Sequence, residues 1–429
     1  MAIMKKPRKP AHRAALTLPL LVSCFAAGGL AHAQTNSLPA DSADLLKQLL
    51  QRVNSQEAEI QSLKAQLGSG TPAAADTLPA MPPPPKYPTL QFHGFADIDY
   101  SADNRHGLSE SGVTEIGSKN GFYLGELDLF LSAQLAEDLS MLSETTLSAD
   151  LYNEMGVDIE RLELQYTPSS YFNVDVGRFH TALGYYNTAY HHGDWFQNAV
   201  GRPSFLEFED SGGILPDHMV GISLNGAIPS GSLNLAYFLE VGNGLEYTTN
   251  PNYNQVQQVV ANTDSKAVNL ALVAKPDWLP GLQFGAGMYY DRITPVAAVP
   301  LPDFDQFIFN GHLVYHNANW EFLTEAFLIA DTPVGGNTHY SPAGYGQLSR
   351  KFGKWTPYGR FTYYNASEND LLYSLVWNQG ANAGLHYGPS LGLRYDFSTY
   401  VALKVQYDYL IDSGFNDASR LTLQAAFTF

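Results

Sequence analysis

From residue 89 onward one pattern recurs: a stretch in which every second side chain is apolar, then a polar connection. Successive side chains of an extended strand point to opposite faces, so each stretch reads as a strand with one apolar and one polar face. Sixteen fit the sequence, at 89–100, 121–135, 139–150, 157–168, 172–180, 218–228, 232–241, 266–274, 281–292, 304–316, 320–331, 342–352, 355–365, 384–397, 400–411 and 419–429. Their connections are sorted. After even-numbered strands they are short, as at Ala136-Glu137-Asp138, Asn317-Ala318-Asn319 and Ser398-Thr399. After odd-numbered strands they are generally long, as at 101–120, 181–217, 242–265 and 366–383.

A soluble β-sandwich has no reason to sort its loops in this way. Beyond the N-terminus no stretch approaches the ~18 apolar residues of a spanning helix, so only a closed barrel is left to cross a membrane, satisfying its backbone between strands. An even strand count with tight turns at one rim and long loops at the other is the pattern of transmembrane barrels. The expected fold is all-β: a 16-stranded antiparallel transmembrane β-barrel over 89–429. Aromatics agree, since Tyr171, Trp278, Trp320, Trp355 and Tyr400 open strands beside short turns, and Tyr166, Phe352, Phe397 and Phe429 close them. Together they would form a girdle at one interface. The segment Ser419–Phe429 alternates throughout and stops on an aromatic, like the closing strand of a bacterial outer-membrane barrel.

The N-terminus supplies an address. Residues 1–33 carry Lys5, Lys6, Arg8, Lys9 and Arg13, an apolar stretch from Ala14 to Ala27, and an Ala31-His32-Ala33 cleavage site. That is the build of a secretory signal peptide. Leu21-Val22-Ser23-Cys24 resembles a lipoprotein cleavage box, but Ala-His-Ala has the better geometry. Cleavage after Ala33 removes the single cysteine and five basic residues, which takes the formal net charge from −18 to −23. Such a balance argues against nucleic-acid binding. Within the next segment, 34–67, Leu46, Leu49, Val53, Gln56, Ile60, Leu63 and Leu67 follow a 3-4 spacing. This is the seam of a short coiled coil, and it favours self-association. A linker rich in Pro, Gly and Ala follows at 68–88.

Inverting each apolar face gives the expected pore lining. Asp97, Asp99, Glu126 and Asp128 come from the first two strands, with Arg161 and Arg178 following. Arg350, Arg360, Arg394, Lys404 and Arg420 come from late strands. Closure would bring the basic and acidic walls together. They would either set a transverse field across water or neutralise each other, with Arg420 pairing Asp97 or Asp99. Dense carboxylates in the outer loops predict mild cation preference at the mouth, moderated by the arginines deeper in.

The segment Gly177-Arg178-Phe179-His180-Thr181-Ala182-Leu183-Gly184, with Gly94-Phe95-Ala96-Asp97, the coiled coil and Phe429, resembles the porin superfamily that includes the phosphate-selective porins O and P. The resemblance covers most of the mature chain. It implies a trimeric outer-membrane channel with a periplasmic coiled coil. That family's phosphate selectivity rests on a lysine-rich pore, whereas Lys404 is the clearest inward lysine here, which argues against phosphate as the solute.

The connection 181–217 is long enough to fold inward as a constriction. Its candidate residues are His191, His192, Asp194, Glu207, Glu209 and Asp210, the last three forming an acidic eyelet. His180, His191, His192, Asp194 and His218 could suggest a metal site, but adjacent histidines in such a loop read as pore-lining or interfacial. No metal and no cofactor is expected. Enzyme signatures are weak: His386 and Ser390 lack the His-x-Ser spacing of barrel hydrolases, and no Gly-x-Ser-x-Gly elbow is present.

The expected function is therefore passive diffusion of small hydrophilic solutes through an outer-membrane porin. Its expected partners are outer-membrane lipid, two further copies of itself in a homotrimer and, through the coiled coil, the cell wall. The alternative is a plugged barrel serving as tether or surface receptor, with a hydrolase further behind. Removing 34–86 is expected to leave a heat-modifiable barrel whose oligomers dissociate more readily on native electrophoresis. Monomeric behaviour of both the full protein and the isolated 40–68 peptide would contradict a role for the helix in assembly.

Overall fold

The computed structural model describes residues 87–104, 120–149, 155–208, 213–248, 259–261, 263–296, 302–376, 383–412 and 417–429. The signal peptide, the coiled coil and nearly all of the linker expected from the sequence lie outside these residues.

The barrel strands are β1 (Thr89–Asp103), β2 (Gly121–Ala136), β3 (Leu139–Ala149), β4 (Met155–Tyr166), β5 (Asn173–His180), β6 (His218–Ile228), β7 (Leu235–Asn243) and β8 (Lys266–Ala274). The second half comprises β9 (Leu282–Pro295), β10 (Phe304–His316), β11 (Trp320–Pro333), β12 (His339–Arg350), β13 (Trp355–Ala366), β14 (Gly384–Asp396), β15 (Val401–Asp412) and β16 (Ala418–Thr428). Each pairs antiparallel with the next, and β16 returns to β1, so the sheet closes. A two-residue strand, Glu246–Tyr247, adds parallel to the end of β9. The sixteen expected segments correspond one for one to these strands.

The outward face is apolar around the sheet. Leu90 and Phe92 on β1, Leu162 and Leu164 on β4, Leu270 and Leu272 on β8, and Leu421 and Leu423 on β16 are all exposed. Exposed apolar belts of this extent do not occur on ordinary soluble monomers. The expected aromatics stand exposed at the short-turn rim, among them Tyr171, Trp278, Trp355, Phe397, Tyr400 and Phe429.

Two irregularities re-aim charge. Between Ala96↔Leu127 and Ile98↔Leu124 one residue of β1 faces two of β2, a bulge at Gly125–Glu126. Between Glu144↔Arg161 and Thr145↔Ile159 the extra residue is Glu160 of β4. Bulges break the two-residue period, so Glu126 and the neighbours Glu160 and Arg161 all reach the lumen.

Strands β5 and β6 are short on their facing ends: the chain leaves the wall at His180 and rejoins it at His218. At Gly177 the backbone has φ +141°, and a Cβ there would stand 1.9 Å from the Leu162 carbonyl oxygen. Only glycine fits without moving β4. Gly177→Ala should lower unfolding stability by about 1–3 kcal/mol, whereas Gly121→Ala, with no atom near its added carbon, should stay within about 0.5 kcal/mol. Equal denaturant midpoints for the two variants would contradict this.

Candidate functional site

The connection from β5 to β6 folds into the lumen. Its neck is closed by Asn187, whose Nδ2 donates to the carbonyls of Thr181 and Asp217, each at 2.9 Å. Between them runs the short helix α1 (Tyr186–Ala189). Glu325 of β11 accepts the N–H groups of Tyr185 (2.5 Å) and Tyr186 (2.8 Å) and the Tyr345 hydroxyl (3.0 Å). Glu240 of β7 accepts the N–H of Ala182 at 2.9 Å. Glu321 accepts from the Tyr190 hydroxyl at 3.0 Å and the Asn198 amide at 2.8 Å.

The far side of the loop is held by cations of the opposite wall. Arg360 Nη1 donates to Gly201 O at 2.8 Å. Arg394 Nη1 donates to Trp195 O (2.6 Å) and Gln197 O (2.8 Å). Lys404 Nζ donates to Asp194 O (2.5 Å) and Ala199 O (3.0 Å). Gln406 exchanges hydrogen bonds with the backbone of Val200, both at 2.9 Å. These carbonyls face inward with no strand to pair them, and charged donors satisfy them strongly.

Asp97 points inward and accepts the Glu126 N–H at 3.1 Å. Its carboxylate occupies the space a side chain at Gly125 would need. Asp99 also points inward, and Asp128 is inward and 1% exposed. Glu126 pairs with His192, Oε2 to Nδ1 2.8 Å. Arg161 pairs with Glu144 and lies over the Phe130 ring. Arg178 is buried and donates to the Glu160 carbonyl at 3.0 Å.

Two expectations need correction. Arg350 shares its face with the exposed Leu348 and stacks on Trp320 and Phe352 at the rim, so it is outward. A charge at a strand end satisfies itself against interfacial aromatics as well as in a lumen. Arg420 sits opposite Asp103 in the closing register, Nε to Oδ2 3.4 Å, and not opposite Asp97 or Asp99.

Spaces remain beside the loop, two of which lie deep in the barrel. One of about 270 Å³ lies against β13–β16 and β1, lined by Asp99, Asp194, Glu207, Arg202, Arg360 and Arg420. Acidic and basic groups face each other across it. Of the expected eyelet, Glu207 is there, while Glu209 and Asp210 lie outside the described residues. The second space, about 360 Å³, lies between α1 and the β7–β10 wall and is lined by small side chains such as Ala236, Ala271 and Ala286.

At the neck four histidines meet. His180 stacks on His191 with ring centroids 3.5 Å apart. His191 Nε2 lies 2.8 Å from His218 Nε2, which lies 2.9 Å from Glu160 Oε2. His192 Nε2 lies 3.4 Å from the same oxygen. Burial, then the neighbouring histidines, hold the His191 imidazole well below its ordinary pKa, so it stays neutral. For His192 burial acts in the same direction, but Glu126 and Glu160 overcome it and raise the ring well above its usual value.

The sequence reading missed Glu160, Glu240, Glu321, Glu325 and Gln406. Glu321 and Glu325 share one strand face, a signal that alternation carries. No protein-family model and no curated protein matches the chain. Among solved structures it resembles an anion-selective porin from Comamonas acidovorans, with TM-score 0.55 and 11% identity over 80% of this chain and 100% of that one. It also resembles the outer membrane channel DcaP of Acinetobacter baumannii, with TM-score 0.51 and 9% identity over 80% and 97%. A loop-deletion form of OmpT, an outer membrane protein of Vibrio cholerae, aligns with TM-score 0.50 and 12% identity over 80% and 100%. At these identities the likeness is one of fold: the chain has the closed β-barrel of porins.

Replacing Arg394 by Ala and Lys404 by Met should release the loop. Brief digestion with a broad-specificity protease should cut within 194–206 at least about tenfold faster than in wild type, the equivalent of one charge-assisted hydrogen bond. Equal cutting rates would show that these cations do not hold it.

Proposed function

We propose that the chain is a passive channel of the bacterial outer membrane, admitting small hydrophilic solutes and ions past the inward loop. The observation that carries this reading is the 270 Å³ space lined by charges of both signs, inside a closed barrel whose outer face is apolar. Charged side chains cost about 2–4 kcal/mol for Arg or Lys in hydrocarbon, so an interior that holds so many is built for water. The porin-like fold supports the same reading. No chemistry on a substrate is part of it.

The finer points follow from the sequence. A signal peptide leads the chain to the periplasm, a coiled coil stands there, and the barrel assembles as a homotrimer. Membership of the superfamily that includes the phosphate-selective porins O and P is the family reading, with phosphate disfavoured. A second reading, a plugged barrel acting as tether or receptor, is favoured by one observation: the loop is gripped from both walls, by Glu325 and Glu321 and by Arg360, Arg394 and Lys404.

Selectivity separates the two. Arg360 and Arg394 hold the loop, so the informative positions are Arg420 and Glu207, which line the space. A unit charge some 6 Å from an ion's path in water contributes about 0.5–1 kcal/mol, roughly two- to fivefold in permeability ratio. Wild type should show mild cation preference in a salt gradient across a planar bilayer. Arg420→Gln should increase it and Glu207→Gln decrease it by about that factor. Bilayers that carry no current with folded protein would favour the plug.

A further inference from the structure

We propose that the neck of the inward loop is a binding site for a divalent transition-metal ion of the zinc class, held by His191, His218 and Glu160 with His180 beside them. The site joins three neighbouring wall strands to the loop: Glu160 comes from β4, His180 from β5, His218 from β6 and His191 from the loop itself. An ion there would pin the loop at its base, opposite the cations that grip its far side.

The atoms that hydrogen-bond one another here also converge as ligands would. One nitrogen of each of His180, His191 and His218 lies within 4.8 Å of the other two, and Glu160 meets His191 and His192 under the same limit. Nε2 of His191 and Nε2 of His218 face each other at 2.8 Å, with the Glu160 carboxylate 2.9 Å from the second. Two imidazole nitrogens and one carboxylate oxygen converging are a common donor set for zinc and related ions. With Zn–N bonds of about 2.0–2.1 Å in tetrahedral array the nitrogens would stand about 3.3 Å apart, a half-ångström opening.

The outer contacts fit as well. His191 Nδ1 lies 3.1 Å from the Asn187 carbonyl oxygen and 2.8 Å from its Oδ1. Both partners are acceptors, so Nδ1 carries the hydrogen and the lone pair sits on Nε2, aimed at His218. Asn187 is itself fixed by its bonds to Thr181 and Asp217. Metal-bound histidines are characteristically oriented in this way by a second bond from the other ring nitrogen. Nε2 of His180 is buried and has no hydrogen-bond partner, lying 3.4 Å from Glu144 Oε2. The bulge that inserts Glu160 is what brings a carboxylate to this point. Arg178 also approaches Glu160, Nη2 to Oε2 3.8 Å, and competes for it. The ion takes the place of the hydrogen between the two Nε2 atoms, and in a neutral His218 that hydrogen moves to the ring's own Nδ1.

The test uses the purified full chain in detergent, stripped with EDTA and dialysed, then titrated with zinc chloride by calorimetry, with bound metal counted by mass spectrometry. One zinc per folded chain is expected. His191→Ala and His218→Ala should each weaken binding by more than about tenfold, and Asn187→Ala by about 10- to 100-fold. His316→Ala, an exposed histidine at the short-turn rim, should change nothing. Because neck variants can misfold, cobalt(II) added to wild type gives an independent readout: visible bands of a tetrahedral or five-coordinate nitrogen–oxygen site. Well under one zinc per heat-modifiable wild-type chain, or neck variants that bind like wild type, would overturn the proposal.

Discussion

A sheet with an apolar outer face stays out of water only if it has no edges, and here everything depends on the pairing of β16 with β1. Gly94 and Phe429 exchange both backbone hydrogen bonds at 3.0 Å, and the register runs without a break from Phe95↔Thr428 to Asp103↔Arg420. The Phe429 ring covers Gly94, where a Cβ would fall 2.3 Å from it. In hydrocarbon each unpaired amide of an open edge would cost several kcal/mol. Closure also fixes which residues share the lumen, so the inner loop and its anchors have a wall to hold to.

Within that wall, several lumenal charges are committed to the loop. The loop brings carbonyls into the centre of the barrel without strand partners, and a buried carbonyl without a donor is costly. Arg360, Arg394 and Lys404 supply donors on one side, and Glu240, Glu321 and Glu325 accept the loop's donors on the other. The polarity is consistent: acids meet the helical start of the loop and bases meet its later carbonyls. Between this braced loop and the seam lies the space where Arg420 and Glu207 stand.

The barrel was legible because alternation is a local signal: Val401, Leu403, Val405 and Tyr407 declare one face of β15 whatever surrounds them. The site was legible in part. Arg360, Arg394 and Lys404 were placed inward by the same rule, but what they hold depends on how 37 residues of loop fold, which no periodicity encodes. The bulges at Glu126 and Glu160 break the rule by design, so Glu160 went unseen, although it organises His192, His218 and Arg178. Arg350 was expected inward with the other late-strand arginines, but it lies at a strand end, shares the outer face with Leu348 and stacks on Trp320 and Phe352.

In a conducting barrel the braced loop, and not the wall, would set the bore. Single-channel conductance in planar bilayers tests it most directly, comparing wild type with a variant in which residues 186–206 are replaced by a short Gly-Ser bridge. Discrete openings are expected in wild type and a several-fold larger conductance in the variant, with both barrels heat-modifiable. Equal conductance, or a wild type that conducts no ions while the variant does, would contradict it.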